Sequence, residues 1–318
     1  REIASLGGHV TEMGEVRLPG VTSLQRMDIG IERLAGAMNA LLSPYVEKER
    51  RQALYAVIDA SRDEYRLAME TYAALPKTRE EARIFEEFQS SIAATVAAND
   101  KVMALSRSIE KFDIQNPGAL LADLNLFRGD HYKLESEVAR MLREGERFEG
   151  GSDPTACNFG KWLASVKTAN PRLLAAMAEV KAHHDEFHHA AHEIREAHGE
   201  DRQAEAAALY AERMVPAARK VFGLLDEIRA EATAAQSVFE QMVAAHLGEA
   251  AVKTSHSLAL ITRMVAVDSA LVASSVKAAE SGVSRGLVVA GVGIAAGLAL
   301  AVALGIGLTR GITRPMGQ

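Results

Sequence analysis

Histidine and cysteine are the residues of this 318-residue chain with the clearest chemistry. His183, His184, His188, His189 and His192 crowd into one stretch. His184 and His188 are four apart, so on a helix both imidazoles leave the same face and can chelate one metal ion. His131 precedes a stretch holding Gly145, Gly150 and Gly151, and Cys157 follows it. Cys157 is the only cysteine, which excludes an intrachain disulfide. A lone cysteine is a small core residue, a reactive thiol or a metal ligand, and a single helical histidine is usually a solvated side chain. Taken together, three His and one Cys form a closed tetrahedral donor set, which suits zinc. The thiol must lose its proton to bind, so affinity should fall at low pH. His183, His189 and His192 read as surface residues, and Asp130 is placed to orient a neighbouring imidazole. A catalytic zinc keeps one position open, and four protein ligands leave none. The run His192-Glu193-Ile194-Arg195-Glu196 is not a zinc-protease HExxH motif. The sequence therefore reads as a non-enzyme.

The elements that position these residues are helices. Apolar residues make up 48% of the chain, aromatics 5%, and there are 8 prolines. Leu24, Met27, Ile31, Leu34, Met38 and Leu41 fall at alternating spacings of three and four, as do Leu54, Ile58, Ser61, Tyr65, Ala68, Tyr72 and Leu75. Such stripes call for partner helices. Pro44 lies between them and should kink the helix or shift its register. Thr78 and Glu81 form a capping-box pattern that starts a new helix, whose core stripe opens with Phe85, Phe88, Ile92 and Val96. Asn116-Pro117-Gly118 ends it. Further helices are expected over 119–143 and 157–166, then from the Asn170 cap and Pro171 to Gly199. A last helix, from about Asp201, has Pro216 as its only breaker. The fold class is all-α: a long antiparallel helical bundle with an inserted helical metal-binding domain, followed by one membrane helix.

Residues 286–308 carry no charge and no strongly polar side chain. At about 1.5 Å per residue they span a hydrocarbon layer of about 30 Å. The preceding residues hold all 42 acidic side chains and all but two of the 36 basic ones. Those two, Arg310 and Arg314, mark the cytoplasmic side, so residues 1–285 are expected outside the cytoplasm. Gly293 and Gly297 have the GxxxG spacing that lets helices approach in a dimer, although glycine is also common in such spans. A net charge of -6 argues against a nucleic-acid partner. A further span upstream and a signalling region downstream are expected.

Cys157-Asn158-Phe159-Gly160-Lys161-Trp162-Leu163 resembles the C-x-[apolar]-G-x-W-[apolar] signature of the chemoreceptor zinc-binding domain. The upstream His131 and the downstream His184-Asp185-Glu186-Phe187-His188 complete that pattern. The resemblance implies one Zn2+ held by His131, Cys157, His184 and His188. It gives structural roles to Gly160, which admits close approach of the Cys-bearing turn, and to Trp162, which walls the site. Val16-Arg17-Leu18-Pro19-Gly20-Val21-Thr22-Ser23-Leu24 resembles the opening of four-helix-bundle sensor domains of chemoreceptors, and Ile312-Thr313-Arg314-Pro315-Met316 resembles the start of a HAMP linker. Residues 1–118 with 200–285 are then a bundle sensor, 119–199 the zinc-binding domain, 286–308 the membrane helix and 309–318 the linker's start. The whole resembles the sensor and membrane part of a methyl-accepting chemotaxis receptor, a homodimer that senses zinc or oxidants. Alternatives are a structural zinc with a small organic ligand clamped in the bundle by Arg33, Arg62 and Arg66, or the sensor of a transmembrane histidine kinase or diguanylate cyclase.

Overall fold

A computed structural model describes the backbone of residues 2–313 and the side chains of residues 7–306. The chain is all-α: 88% is helical, with no strand among the described residues. The helices are α1 (Glu2–Glu12), α2 (Leu18–Leu41), α3 (Lys48–Ala74), α4 (Arg79–Phe112), α5 (Pro117–Glu144), α6 (Asn158–Ser165), α7 (Pro171–Gly199), α8 (Gln203–Leu209), α9 (Val215–Ala245) and α10 (Ala251–Thr313). Three π turns, Met13–Arg17, Tyr210–Met214 and His246–Ala250, join α1 to α2, α8 to α9 and α9 to α10 without a break. Pro44 does not kink a continuous helix. It lies in a turn between α2 and α3, because its ring cannot continue the ladder. The tail of the HAMP-like motif, from Arg314, lies outside the described residues.

The residues fall into two compact units. The first comprises residues 1–35, 58–94 and 253–318. Its core is built from Leu24, Met27 and Ile31 on α2, Ile58, Tyr65 and Tyr72 on α3, Phe85, Phe88 and Ile92 on α4, and Leu260, Ile261 and Met264 on α10, all buried. The residues on α2, α3 and α4 are the stripes anticipated from heptad spacing, and burying them with the α10 residues is what fixes four helices side by side. A cluster of charge sits in the same unit. The buried Arg17 guanidinium donates to Glu81 at 2.7 Å, Asp268 at 3.2 Å and Glu12 at 3.1 Å. Glu81 also closes the capping box. It accepts from the Thr78 amide at 2.7 Å while its own amide donates to Thr78 Oγ1 at 3.2 Å.

Within α10 lies the one stretch among the described residues long and apolar enough to cross a membrane, and none of its most apolar window is buried. Leu287, Val288, Val292, Ile294 and Leu298 all stand exposed.

The second unit comprises residues 36–57 and 95–252. Here α5 and α7 lie along α9 and build two apolar clusters. One contains Leu120, Leu124, Phe127, Phe159, Leu173 and Val180. The other contains Leu134, Val138, Met141, Phe187, Ala191 and Ile194. Asn116 caps α5 through the Ala119 amide, and Asn170 caps α7 through the amides of Arg172 and Leu173, each followed by proline in the first turn.

Candidate metal centre

His131, His184 and His188 stand at core positions where polar side chains are unexpected. On α5 the buried residues run Leu120, Leu124, Phe127, His131, Leu134, Val138, Met141. His131 takes a place in that stripe which an apolar residue would fill, and it is 2% exposed. On α7, His184 and His188 fall between Val180 and Ala191 on the inward face, flanking Phe187. Burying three imidazoles in this way is costly unless their nitrogens find partners.

The fourth group arrives on α6. Cys157 is the N-cap of this helix, and its Sγ accepts from the Gly160 amide at 3.1 Å. Gly160 is required by space: a Cβ there would lie 1.8 Å from the Pro154 carbonyl oxygen. That contact folds the Cys-bearing turn back on itself and aims the sulfur inward. Sγ lies 3.2 Å from His184 Nε2, which lies 3.1 Å from His188 Nε2. One donor atom from each of His131, Cys157, His184 and His188 falls within 4.8 Å of all the others.

Backbone carbonyls set the tautomers. His131 Nδ1 donates to the Phe127 carbonyl at 2.6 Å, and His188 Nδ1 donates to the Gly151 carbonyl at 2.7 Å. A carbonyl can only accept, so both Nδ1 atoms carry the proton and both Nε2 atoms present a lone pair to the centre. Asp130, expected to orient an imidazole, does not do so. Its carboxylate accepts from Asn158 Nδ2 at 2.7 Å, tying α5 to α6.

His131 Nε2 is buried without a hydrogen-bond partner. His188 Nε2 has only His184 Nε2, at 3.1 Å, for a partner, so nitrogen and sulfur lone pairs converge on the centre with few protons between them. A cation supplies what is missing. A tetrahedral zinc sets its nitrogen and sulfur donors about 3.3–3.7 Å apart; here Cys157–His184 and His184–His188 stand at 3.2 and 3.1 Å, and all four donor atoms lie within 4.8 Å of one another. The residues therefore fit this metal. Burial lowers the His131 pKa to about 4 and that of His184 to about 3, and lowers His188 as well, so all three are neutral at pH 7. Burial pushes the Cys157 thiol up, opposed by the amides of Gly160 and Phe159. A cation at the centre favours the thiolate and reverses the balance.

The walls include residues that sequence reasoning passed over. Phe159, fully buried, packs edge-on against His184 with ring centroids 5.1 Å apart. Trp162 stacks on Phe159 and lies near Phe127, so it supports the wall and Phe159 itself faces the site. Its signal was the apolar position inside the Cys-x-[apolar]-Gly pattern. Arg195 clasps the glycine loop, donating to the Gly150 carbonyl at 2.7 Å and to Ser152 Oγ. On the other side a cavity of about 260 Å3 reaches Cys157, His131 and His188. His189 is exposed, while His183 and His192 are half-buried. Arg33 pairs with Glu64 at 2.6 Å and Arg66 with Asp63 at 3.0 Å, both at the surface of the first unit, and Arg62 is half-buried beside them on α3.

Comparison with known families agrees with this geometry. Residues 3–115 match the four-helix-bundle sensory module for signal transduction, and residues 131–195 match the chemoreceptor zinc-binding domain. The second match opens on His131 and contains all four converging residues. The chain thus carries a segment similar to a bundle sensory module and a segment similar to a chemoreceptor zinc-binding domain. Both are signalling modules rather than catalytic ones. Neither the curated proteins nor the solved structures contain a match to the chain.

Proposed function

We propose that this chain is the sensory and membrane-spanning part of a chemotaxis receptor and binds one zinc ion through His131, Cys157, His184 and His188. The observation that carries the reading is the convergence of one ring nitrogen from each of three histidines and one Sγ within 4.8 Å, with His131 Nε2 buried and lacking a partner. Zinc supplies a positive centre that holds α5, α6 and α7 together. The Phe127 and Gly151 carbonyls orient two of its ligands, and Gly160 and Trp162 support the turn and wall around the thiolate. Zinc occupancy, or oxidation of Cys157 through the adjoining cavity, is the stimulus. Oxidation weakens the sulfur as a ligand and loosens α6 from α7.

In this reading residues 1–118 and 200–285 are the bundle sensor, 119–199 the zinc domain, 286–308 the membrane helix and 309–318 the start of a HAMP linker. Residues 1–285 lie in the periplasm and the receptor is a homodimer. Nothing here is catalytic. The full chain, purified in detergent, should carry about one zinc per chain by elemental analysis, and Cys157→Ser should lose most of it while remaining helical. A folded, metal-replete wild type without zinc refutes the reading.

A further inference from the structure

A second polar site lies in the same compact unit, and its logic does not depend on zinc. Arg51, in the first turn of α3, is 4% exposed. Its guanidinium donates to Ser106 Oγ at 2.9 Å, a neutral hydroxyl that is itself bonded to the Tyr55 hydroxyl at 2.8 Å. No carboxylate among the described residues lies within ion-pair distance of Arg51. Every other strongly buried charge behaves differently: Arg17, Glu81 and Asp268 neutralise one another. A guanidinium taken out of water without a counter-ion is expensive, and the cost falls when an anion binds it.

Arg51 lines a cavity of about 340 Å3, a volume suited to a small organic molecule. Val46, Ile109 and Ile114 give it apolar wall, and Lys48 and Lys167 stand at its edge. Lys48 opens α3, and the first turn of that helix, which also carries Glu49, lines the space. Four acids line it too: Glu47 and Glu49 stand exposed at the start of α3, while Glu110 and Asp113 are engaged. Glu110 accepts from Gln52 Nε2 with both oxygens, at 2.9 and 3.1 Å, and Asp113 accepts from the Ala169 amide. We propose that this cavity binds a small monocarboxylate, with the Arg51 guanidinium as its counter-ion. The planar fork of arginine matches a carboxylate with two parallel bonds. The flanking acids penalise a second negative charge, which disfavours phosphate, and the apolar wall receives the hydrocarbon part. Lys167 and Ala169 belong to the segment joining α6 to α7, so the occupant would touch the link between the helix capped by Cys157 and the helix bearing His184 and His188.

Calorimetric titration of the full chain in detergent with acetate, propionate, butyrate, benzoate and inorganic phosphate tests this. At least one of the four acids should bind saturably, and phosphate about tenfold more weakly or worse. Arg51→Gln should weaken the binding acid by about tenfold or more, in line with loss of a charged hydrogen-bond pair. Lys167→Glu and Lys48→Glu change exposed residues, leave the fold intact and should each weaken it severalfold. The proposal is overturned if none of the acids binds, if phosphate binds as well as the best of them, or if Arg51→Gln binds equally. Should Arg51→Gln fail to fold, unchanged affinity in both lysine variants overturns it.

Discussion

His188 donates from Nδ1 to the carbonyl of Gly151, 37 residues away in sequence, at 2.7 Å. This bond fixes which nitrogen faces the metal centre, and it depends on an unusual backbone. Gly151 has φ +75°, and a Cβ added there would stand 2.5 Å from Leu134 Cδ1. Gly151→Ala should therefore move the carbonyl and release the imidazole. Partners of this kind are typically worth about 10–100-fold in metal affinity. A competition titration with a zinc chelator should show a loss in that range, with helicity retained. Unchanged affinity would mean the carbonyl has no orienting role.

Gly160→Ala acts on the other ligand. Its Cβ cannot coexist with the Pro154 carbonyl at 1.8 Å, so the turn must open and carry Cys157 Sγ away from His184. The expected outcome is zinc binding reduced towards that of Cys157→Ser, with α5 and α7 still paired. A crystal structure or chelator titration showing wild-type coordination would contradict this.

The acid response of the metal-free protein follows from the buried imidazoles. An unfolded histidine titrates near 6.5, whereas burial lowers His131 to about 4 and His184 to about 3. Above about pH 6.5 neither state is protonated and stability is flat. Below it the unfolded chain takes up protons that the folded chain refuses, so stability falls as the pH drops towards about 4. His131 alone accounts for on the order of 3 kcal/mol over that window. Urea denaturation in chelator at several pH values should show the midpoint falling with acid, and a flat profile would contradict the burial of neutral imidazoles.

Arg17 and Glu81 test the first unit. Glu81→Ala removes both a buried counter-charge of Arg17 and one arm of the capping box. Breaking a buried pair costs about 3–5 kcal/mol, and Thr78→Ala, which removes only a cap, about 1 kcal/mol. Thermal unfolding should rank them in that order, and equal effects would show that the buried pair contributes little.

Much of this was legible beforehand because the signals are local. The heptad stripes of α2 and α3, the Thr78–Glu81 capping box, the Asn170–Pro171 start and the apolar run after Arg285 each depend on near neighbours in sequence. The four converging residues were also readable, from the His184–His188 spacing and the cysteine turn. His131 carried a further mark: it interrupts an otherwise apolar stripe on α5 at a core position. The remainder depends on tertiary contact. A π turn adds one residue to a helical turn and leaves no reliable composition behind, so Met13–Arg17, Tyr210–Met214 and His246–Ala250 could not be foreseen. The same holds for Arg17 and Arg51, whose burial is decided by helices far away in sequence, while Arg33 and Arg66 proved to be paired at the surface.

The most direct test of the account is cobalt substitution at the metal centre. Cobalt(II) takes the same donors as zinc and reports them in its spectrum. Metal-stripped full chain titrated with cobalt should develop intense visible bands of a four-coordinate ion and a near-ultraviolet sulfur-to-metal band, both saturating at one equivalent. Cys157→Ser should lose the sulfur band, and His131→Ala should shift the visible bands and weaken cobalt binding. Weak octahedral spectra in the wild type, or a sulfur band that survives in Cys157→Ser, would contradict a site built from His131, Cys157, His184 and His188.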